Sequence, residues 1–392
     1  MRKTLLALAA LMGVATLPEG AQAVAFRIAD DVRGNMGFRG QFWLQGRGER
    51  VAGNKGDIDI SLRNVRLYAN GEISKYMYFG ANLDFTPNTA RASDAFAGIK
   101  FQDEFRVQMG IFRTPFGRAS LTDSYTFLVP TGYFYGIPDV ANTLQGAKGT
   151  TGLSSYRNAQ VAVWGDIADA TFKYYLSVFD GPYNNDTTQR GSDKLGVAFR
   201  VQFTPTMLGF KGEKGYGLRD TYLGRQNVLS FGAGYIAQKC EIPPGPALNL
   251  GGTCATTATT TSTTSYTTSG FVLDAKHEQR FGKEWIAGWE AAYFGIRDIN
   301  AAKDDQNGFY LQVGAIYDKK AGVGKPGFAV RYDYSENKPS RGSKQKFSRI
   351  GGAFNYFIKG QDAMVQFGVD TVNRPAGQKD YSDVTLAFQV QF

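Results

Sequence analysis

Side chains capable of chemistry recur at every second position along this chain. In Phe105–Ile111, Arg106, Gln108 and Gly110 alternate with Phe105, Val107, Met109 and Ile111. In 193–204, Lys194, Arg200 and Gln202 alternate with Leu195, Val197, Phe199, Val201 and Phe203. An extended strand turns successive side chains to opposite faces, so each segment has one apolar and one wet face. The same alternation puts Arg39, Arg66, Lys100 and Lys173 on the wet face of the first half, with Asp84 and Asp94 as acidic exceptions. In the second half, Lys276, Arg331 and Arg349 share that face with Asp274, Glu278, Glu290, Asp333, Asp362, Asp370 and Asp383. The side of Arg63 stays open, because 57–70 changes phase near Asn64, as a bulge would cause.

Rows of fixed charge facing water act on dissolved ions rather than on covalent bonds. Arg66, Lys100, Arg106 and Arg200, opposed by Glu290, Asp333 and Asp370, predict a cavity with one positive and one negative wall. The alternative is that these groups pair with one another and stiffen the wall. Covalent chemistry lacks its parts. His277 is the sole histidine, no nucleophile motif surrounds it, and neither a metal centre nor a cofactor site is expected.

The elements that carry these charges are strands. The closing segment Val384–Phe392 puts Val384, Leu386, Phe388, Val390 and Phe392 on one face. About sixteen such segments follow one another from 34–46 to 381–392, each near the length that a tilted membrane strand needs. Tight gaps (Gly71–Ser74, Gln102–Asp103, Gly282–Lys283, Gly360) alternate with longer ones such as 114–156 and 240–266. Short turns at one end and long loops at the other are expected of a transmembrane antiparallel β-barrel. Stretch 205–226 breaks the rule as an oversized turn on the short side.

Composition agrees with an oily exterior and a hydrated interior. A mean hydropathy of −0.29 accompanies 48 Gly, 21 Tyr and 29 Phe. Trp285, Tyr293, Tyr332, Tyr334 and Tyr356 fit aromatic girdles, and Trp289 fits either a girdle or a subunit contact. The net charge of +9 is modest and dispersed, which favours anions mildly and argues against nucleic acid. Residues 1–23 read as an export signal: Arg2 and Lys3, an apolar centre, then Ala21-Gln22-Ala23. A barrel domain over 24–392 follows, expected in the outer membrane of a Gram-negative-type bacterium. Cys240 and Cys254 flank a Pro/Gly-rich stretch of an exported chain and are read as a disulfide closing a surface loop. That loop, 240–266, carries a Thr-rich tract (255–265).

Loop 114–156, the third long one, holds Phe116, Phe127, Tyr133, Phe134 and Tyr135 beside Arg118, Asp123, Asp139 and Lys148. It is too apolar for a solvated flap, so it is expected to fold inward and narrow the lumen. A compact external lid is the alternative.

Leu62–Gly71 with Tyr76–Phe85, Asp94–Phe101, and above all Gly110-Ile-Phe-Arg-Thr-Pro-Phe-Gly117 resemble the phosphate-selective porin O and P family. Lys194–Pro205 is similar to its mid-barrel strand. The resemblance implies a sixteen-stranded trimeric porin with an inward third loop and basic residues lining the pore. Arg63 and Arg66 match basic positions of its early strand, while Asn64 stands where another arginine is common. Passive diffusion of small hydrophilic solutes is therefore expected. A non-conducting adhesin or receptor-like barrel, and a barrel sheathing a threaded partner, are the competing readings.

Overall fold

In the computed structural model the described residues are 23–49, 56–86, 89–132, 157–180, 194–242, 264–298, 303–340, 342–375 and 377–392. They form seventeen strands: β1 (Val24–Arg27), β2 (Arg33–Arg47), β3 (Asp57–Glu72), β4 (Met77–Thr86), β5 (Thr89–Gln102), β6 (Phe105–Arg113), β7 (Arg157–Ile167), β8 (Phe172–Phe179) and β9 (Gly196–Phe203). After them come β10 (Val228–Ile242), β11 (Thr264–Phe281), β12 (Trp285–Arg297), β13 (Asp305–Tyr317), β14 (Lys325–Lys338), β15 (Gln345–Phe357), β16 (Ala363–Asn373) and β17 (Tyr381–Gln391). From β2 onward each strand pairs antiparallel with the next. β17 returns to β2, with Val384 opposite Gly46 and Gln391 opposite Arg39. Closure removes the edges that an open sheet would present, and with them every unpaired row of backbone donors.

The sixteen-stranded barrel carries one short addition. β1 pairs with the start of β2, Val24 against Met36 and Arg27 against Arg33, just beyond the point where Phe392 bonds to Phe38. It thus extends the sheet below the end of β17. Residues 1–22 of the proposed signal segment lie outside the described residues.

Outward faces match the apolar sets of the sequence. Phe309, Leu311 and Val313 on β13, and Phe328, Val330 and Tyr332 on β14, are exposed around the barrel, as are Trp285, Trp289 and Tyr293 on β12. A bulge in β3, where Arg63 is the extra residue between Leu62 and Asn64 opposite Phe42 and Gln41 of β2, accounts for the phase change. It swings Arg63 inward, where its guanidinium lies 5.0 Å from the centre of the Trp43 ring.

Candidate functional site

The interior is filled from both ends. Residues 114–132 of the third long loop enter between β6 and β7, carrying a one-turn helix α1 (Arg118–Leu121) and a 3-10 turn (Ser124–Thr126). Asp123 caps that turn, its side chain accepting from the Tyr125 backbone N–H at 3.3 Å. The loop then runs along β12–β16. Leu128 and Val129 pack on Ile286, Ile316, Ala329, Ala353 and Met364. Small wall residues make that approach possible: a Cβ on Gly368 would sit 2.8 Å from Pro130 Cγ, and one on Gly234 only 1.9 Å from the Phe116 carbonyl oxygen. The inward fold expected for this loop holds for 114–132. Asp139 and Lys148 lie outside the described residues.

Most charges on the second-half wall hold this loop. Arg331 donates to the carbonyls of Thr131 (2.6 Å) and Gly132 (2.9 Å), and Arg349 also donates to Gly132 (2.6 Å). Asp370 accepts from the Thr131 hydroxyl at 3.0 Å, while Asp333 sits between Arg331 and Arg349. Asp333, Asp370 and Glu290 point inward as expected, yet each is at most 1% exposed. The negative wall facing open water is therefore corrected: its carboxylates are covered and paired. A buried polar group without a partner is costly, so a loop with free carbonyls docks where guanidinium groups await it.

The second insert comes from the short-turn end. Residues 204–227, between β9 and β10, fold up into the lumen instead of projecting outward. Tyr216 inserts edge-on against Phe112 (5.3 Å), Trp164 (5.4 Å) and Tyr175 (5.2 Å). Such T-shaped contacts contribute about 0.5–1.5 kcal/mol each beyond burial. Lys173 donates to the carbonyls of Glu213 and Gly215, Lys276 to that of Asp220, and Glu278 accepts from the Tyr222 and Gly224 backbone N–H groups. Strand periodicity is silent about this segment, since it is not a strand. A signal was nevertheless present: Phe112, Trp164 and Tyr175 occupy inward positions where a water-filled barrel should carry polar groups.

The two inserts meet at Arg118. This side chain is fully buried and forms a fork on Glu213 (2.6 and 2.7 Å), with Nε on Glu290 at 2.9 Å. Its backbone N–H reaches Asp274 at 3.0 Å, and that carboxylate also takes Arg200 at 2.5 and 2.8 Å. Arg200 and Lys173 thus face inward as expected but lie sealed beneath the turn rather than on open water. Burial opposes ionisation of Glu213, but the Arg118 guanidinium and the Tyr222 hydroxyl override it and hold the carboxyl down at about 2. A carboxyl depressed in the folded state stabilises fully above its ordinary 4.5 and loses that contribution as pH falls through about 2. Glu213 is thus expected to stay charged from pH 8 to 5, so that conductance changes that need its protonation come only in stronger acid, readable as conductance against pH.

A different wall stays partly open. Beside β2–β7, Arg39 on β2 and Asp123 in the inserted loop retain 24% and 27% of their side-chain exposure and form a 2.8 Å ion pair. Arg113 approaches Asp123 at 3.5 Å, and Arg66 is paired with Asp84 at 2.5 Å. Arg157 forks on Asp94 at 2.7 and 2.9 Å. Tyrosines flank the row: Arg39 lies 4.6 Å from the Tyr68 ring centre and 5.3 Å from that of Tyr125. Burial would raise the Asp123 carboxyl, yet Arg39, Arg113 and Arg66 together hold it far below the usual carboxylate range. Arg113 and Arg157, at strand ends where alternation is weakest, were not among the expected pore residues. Arg106 faces inward and bonds Asp166 and Asp103. Lys100 is exposed at the short-turn rim beside Asp103. Lys194 is exposed just before β9, on the long-loop side. Cys240 is buried near that end of β10, and Cys254 lies outside the described residues.

A closed sixteen-stranded barrel with an apolar belt, an inserted third loop and charged lumen residues defines an outer-membrane porin. Residues 37–284 match the family described as phosphate-selective porin O and P, and the chain belongs to that family. It is 27% identical over 312 residues to an uncharacterized protein of Aquifex aeolicus (strain VF5), covering 76% of this chain and 66% of that relative, just under two thirds of its length. Among solved structures, the anion-selective porin from Comamonas acidovorans is similar at 10% identity and a TM-score of 0.57, covering 92% of this chain and all of that one. In-vitro folded OmpT of Vibrio cholerae in its trimer form is similar at 12% identity and a TM-score of 0.54, covering 92% and 99%. Family and fold point to a channel rather than an enzyme.

Proposed function

We propose that this chain is a passive outer-membrane channel for small hydrophilic solutes, mildly favouring anions, and that it works without a catalytic step as a homotrimer. The observation that carries this reading is the arginine row on β2–β7, in which Arg39 stays partly exposed while Arg66, Arg113 and Arg157 lie largely covered against their carboxylate partners. Fixed guanidinium groups on the wet wall lower the electrostatic cost for an anion that has shed part of its hydration. The anion-selective neighbour and the trimeric neighbour support selectivity and assembly, and the apolar outer face supplies surface for subunit and lipid contacts. Cys240 and Cys254 form, in this reading, a bridge that ties down an external loop.

Planar-bilayer recording of the folded full chain tests it. Step-wise ohmic currents are expected, with a reversal potential in a KCl gradient displaced toward that of chloride. Silence at every voltage would instead favour a surface protein acting through its loops.

A further inference from the structure

We propose that the 204–227 turn is a second constriction, built from the periplasmic end, and that with the third loop it closes the half of the lumen lined by β9–β16. Solutes then pass only along the β2–β6 side, because the turn also covers Trp164 on β7 and Lys173 and Tyr175 on β8. The inference rests on the channel reading above and adds to it the route and the element that sets the route.

Main-chain bonding makes the two inserts one body. The Leu218 N–H donates to the Leu121 carbonyl at 3.0 Å, and the Asp123 N–H donates to the Leu218 carbonyl at 3.2 Å. Thr122 and Leu218 form an isolated parallel bridge. The Asp220 carboxylate accepts from the Leu128 N–H at 2.7 Å, and Asp220 N–H donates to the Thr126 hydroxyl at 2.9 Å. Together with the Arg118–Glu213 fork, these contacts join a segment entering from the outside to one entering from the periplasm.

Exposure behind the joined body differs from that on β2–β4, although Arg66, Asp84 and Gln108 on the latter side are also covered. Inward polar side chains behind it, such as Gln312 and Asn355, are 1% and 0% exposed and spend their hydrogen bonds on it. Asn64 and Asn82, on β3 and β4, stay partly exposed. At the periplasmic end a cavity of about 770 Å³ opens on the same side, among Asn35, Asn70, Tyr78, Gln108, Trp164 and Tyr216. Tyr216, the tip of the turn, forms part of its wall. The cavity and the arginine row therefore line up on one side of the plug, as successive stages of one path.

Two measurements on the folded full-length barrel test this. Replacing residues 206–225 with an Asn-Gly connection, which suits a two-residue hairpin, is expected to raise single-channel conductance about threefold or more, because the covered half becomes conducting. Wild-type current with an unchanged current in this variant overturns the inference while leaving the channel reading intact; an inactive wild type overturns the channel reading itself. Because shortening the turn could block folding, the second measurement keeps it. In a Cys240→Ser/Cys254→Ser background, single cysteines replace Asn64, Asn82, Gln312 or Asn355, and a sulfonate-bearing thiosulfonate reagent is added. Loss of current is expected at the first two positions and none at the last two. Equal modification of both pairs, or of neither, overturns the proposed route.

Discussion

Replacing Arg118 with methionine is expected to undock the third loop from the periplasmic turn while the barrel wall stays closed. The variant leaves the Glu213 and Glu290 carboxylates buried without the guanidinium that both share, and removing one partner of a buried ion pair costs about 3–5 kcal/mol. That penalty falls on the inserts, because the ladder from β2 to β17 does not involve the Arg118 side chain. Single-channel records should show higher conductance and excess open-channel noise. Heat-modified gel mobility should shift toward lower temperature by less than any disruption of the ladder would cause. The triple variant Arg118→Met/Glu213→Gln/Glu290→Gln removes the stranded charges as well and should recover part of the docking. An Arg118→Met channel with wild-type conductance and noise would show that the junction does not hold the inserts.

That junction also marks where sequence reading stops. Alternation identified every strand from β2 to β17, since a residue's side of the wall follows from counting by two, and it located the bulge that turns Arg63 inward. The apolar content of 114–156 announced an inward-folding loop, and its described part, 114–132, does fold inward. Pleat position, however, states which way a charge points and not what covers it. Arg331 and Glu290 were readable as inward, but their partners at Thr131 and Arg118 are far away in sequence and are brought close only by the inserted loop. The 204–227 turn has no period at all. Its destination was encoded on the wall, in the inward rings of Phe112, Trp164 and Tyr175, which need an apolar guest if they are not to face water.

Changing Asp123 to asparagine is expected to increase the preference for anions. Asp123 is the one carboxylate in 114–132, and it sits among Arg39, Arg113 and Arg66 on the side that stays partly open. The surrounding guanidinium groups keep it ionised throughout the working pH range, so wild-type channels always carry this negative charge within the arginine row. Its removal takes the carboxylate partner from Arg39, which faces the path, while the amide preserves size and can still accept from the Tyr125 N–H that caps the turn. The chloride-to-potassium permeability ratio, read from reversal potentials in a KCl gradient, should rise about two- to fivefold at low salt. Near 1 M salt, where the screening length shrinks to about 3 Å, the difference should largely vanish. Arg39→Glu should move the ratio in the opposite direction. If both variants keep the wild-type reversal potential at low salt, ions do not pass beside Asp123, and the selecting charges must lie elsewhere on the wall.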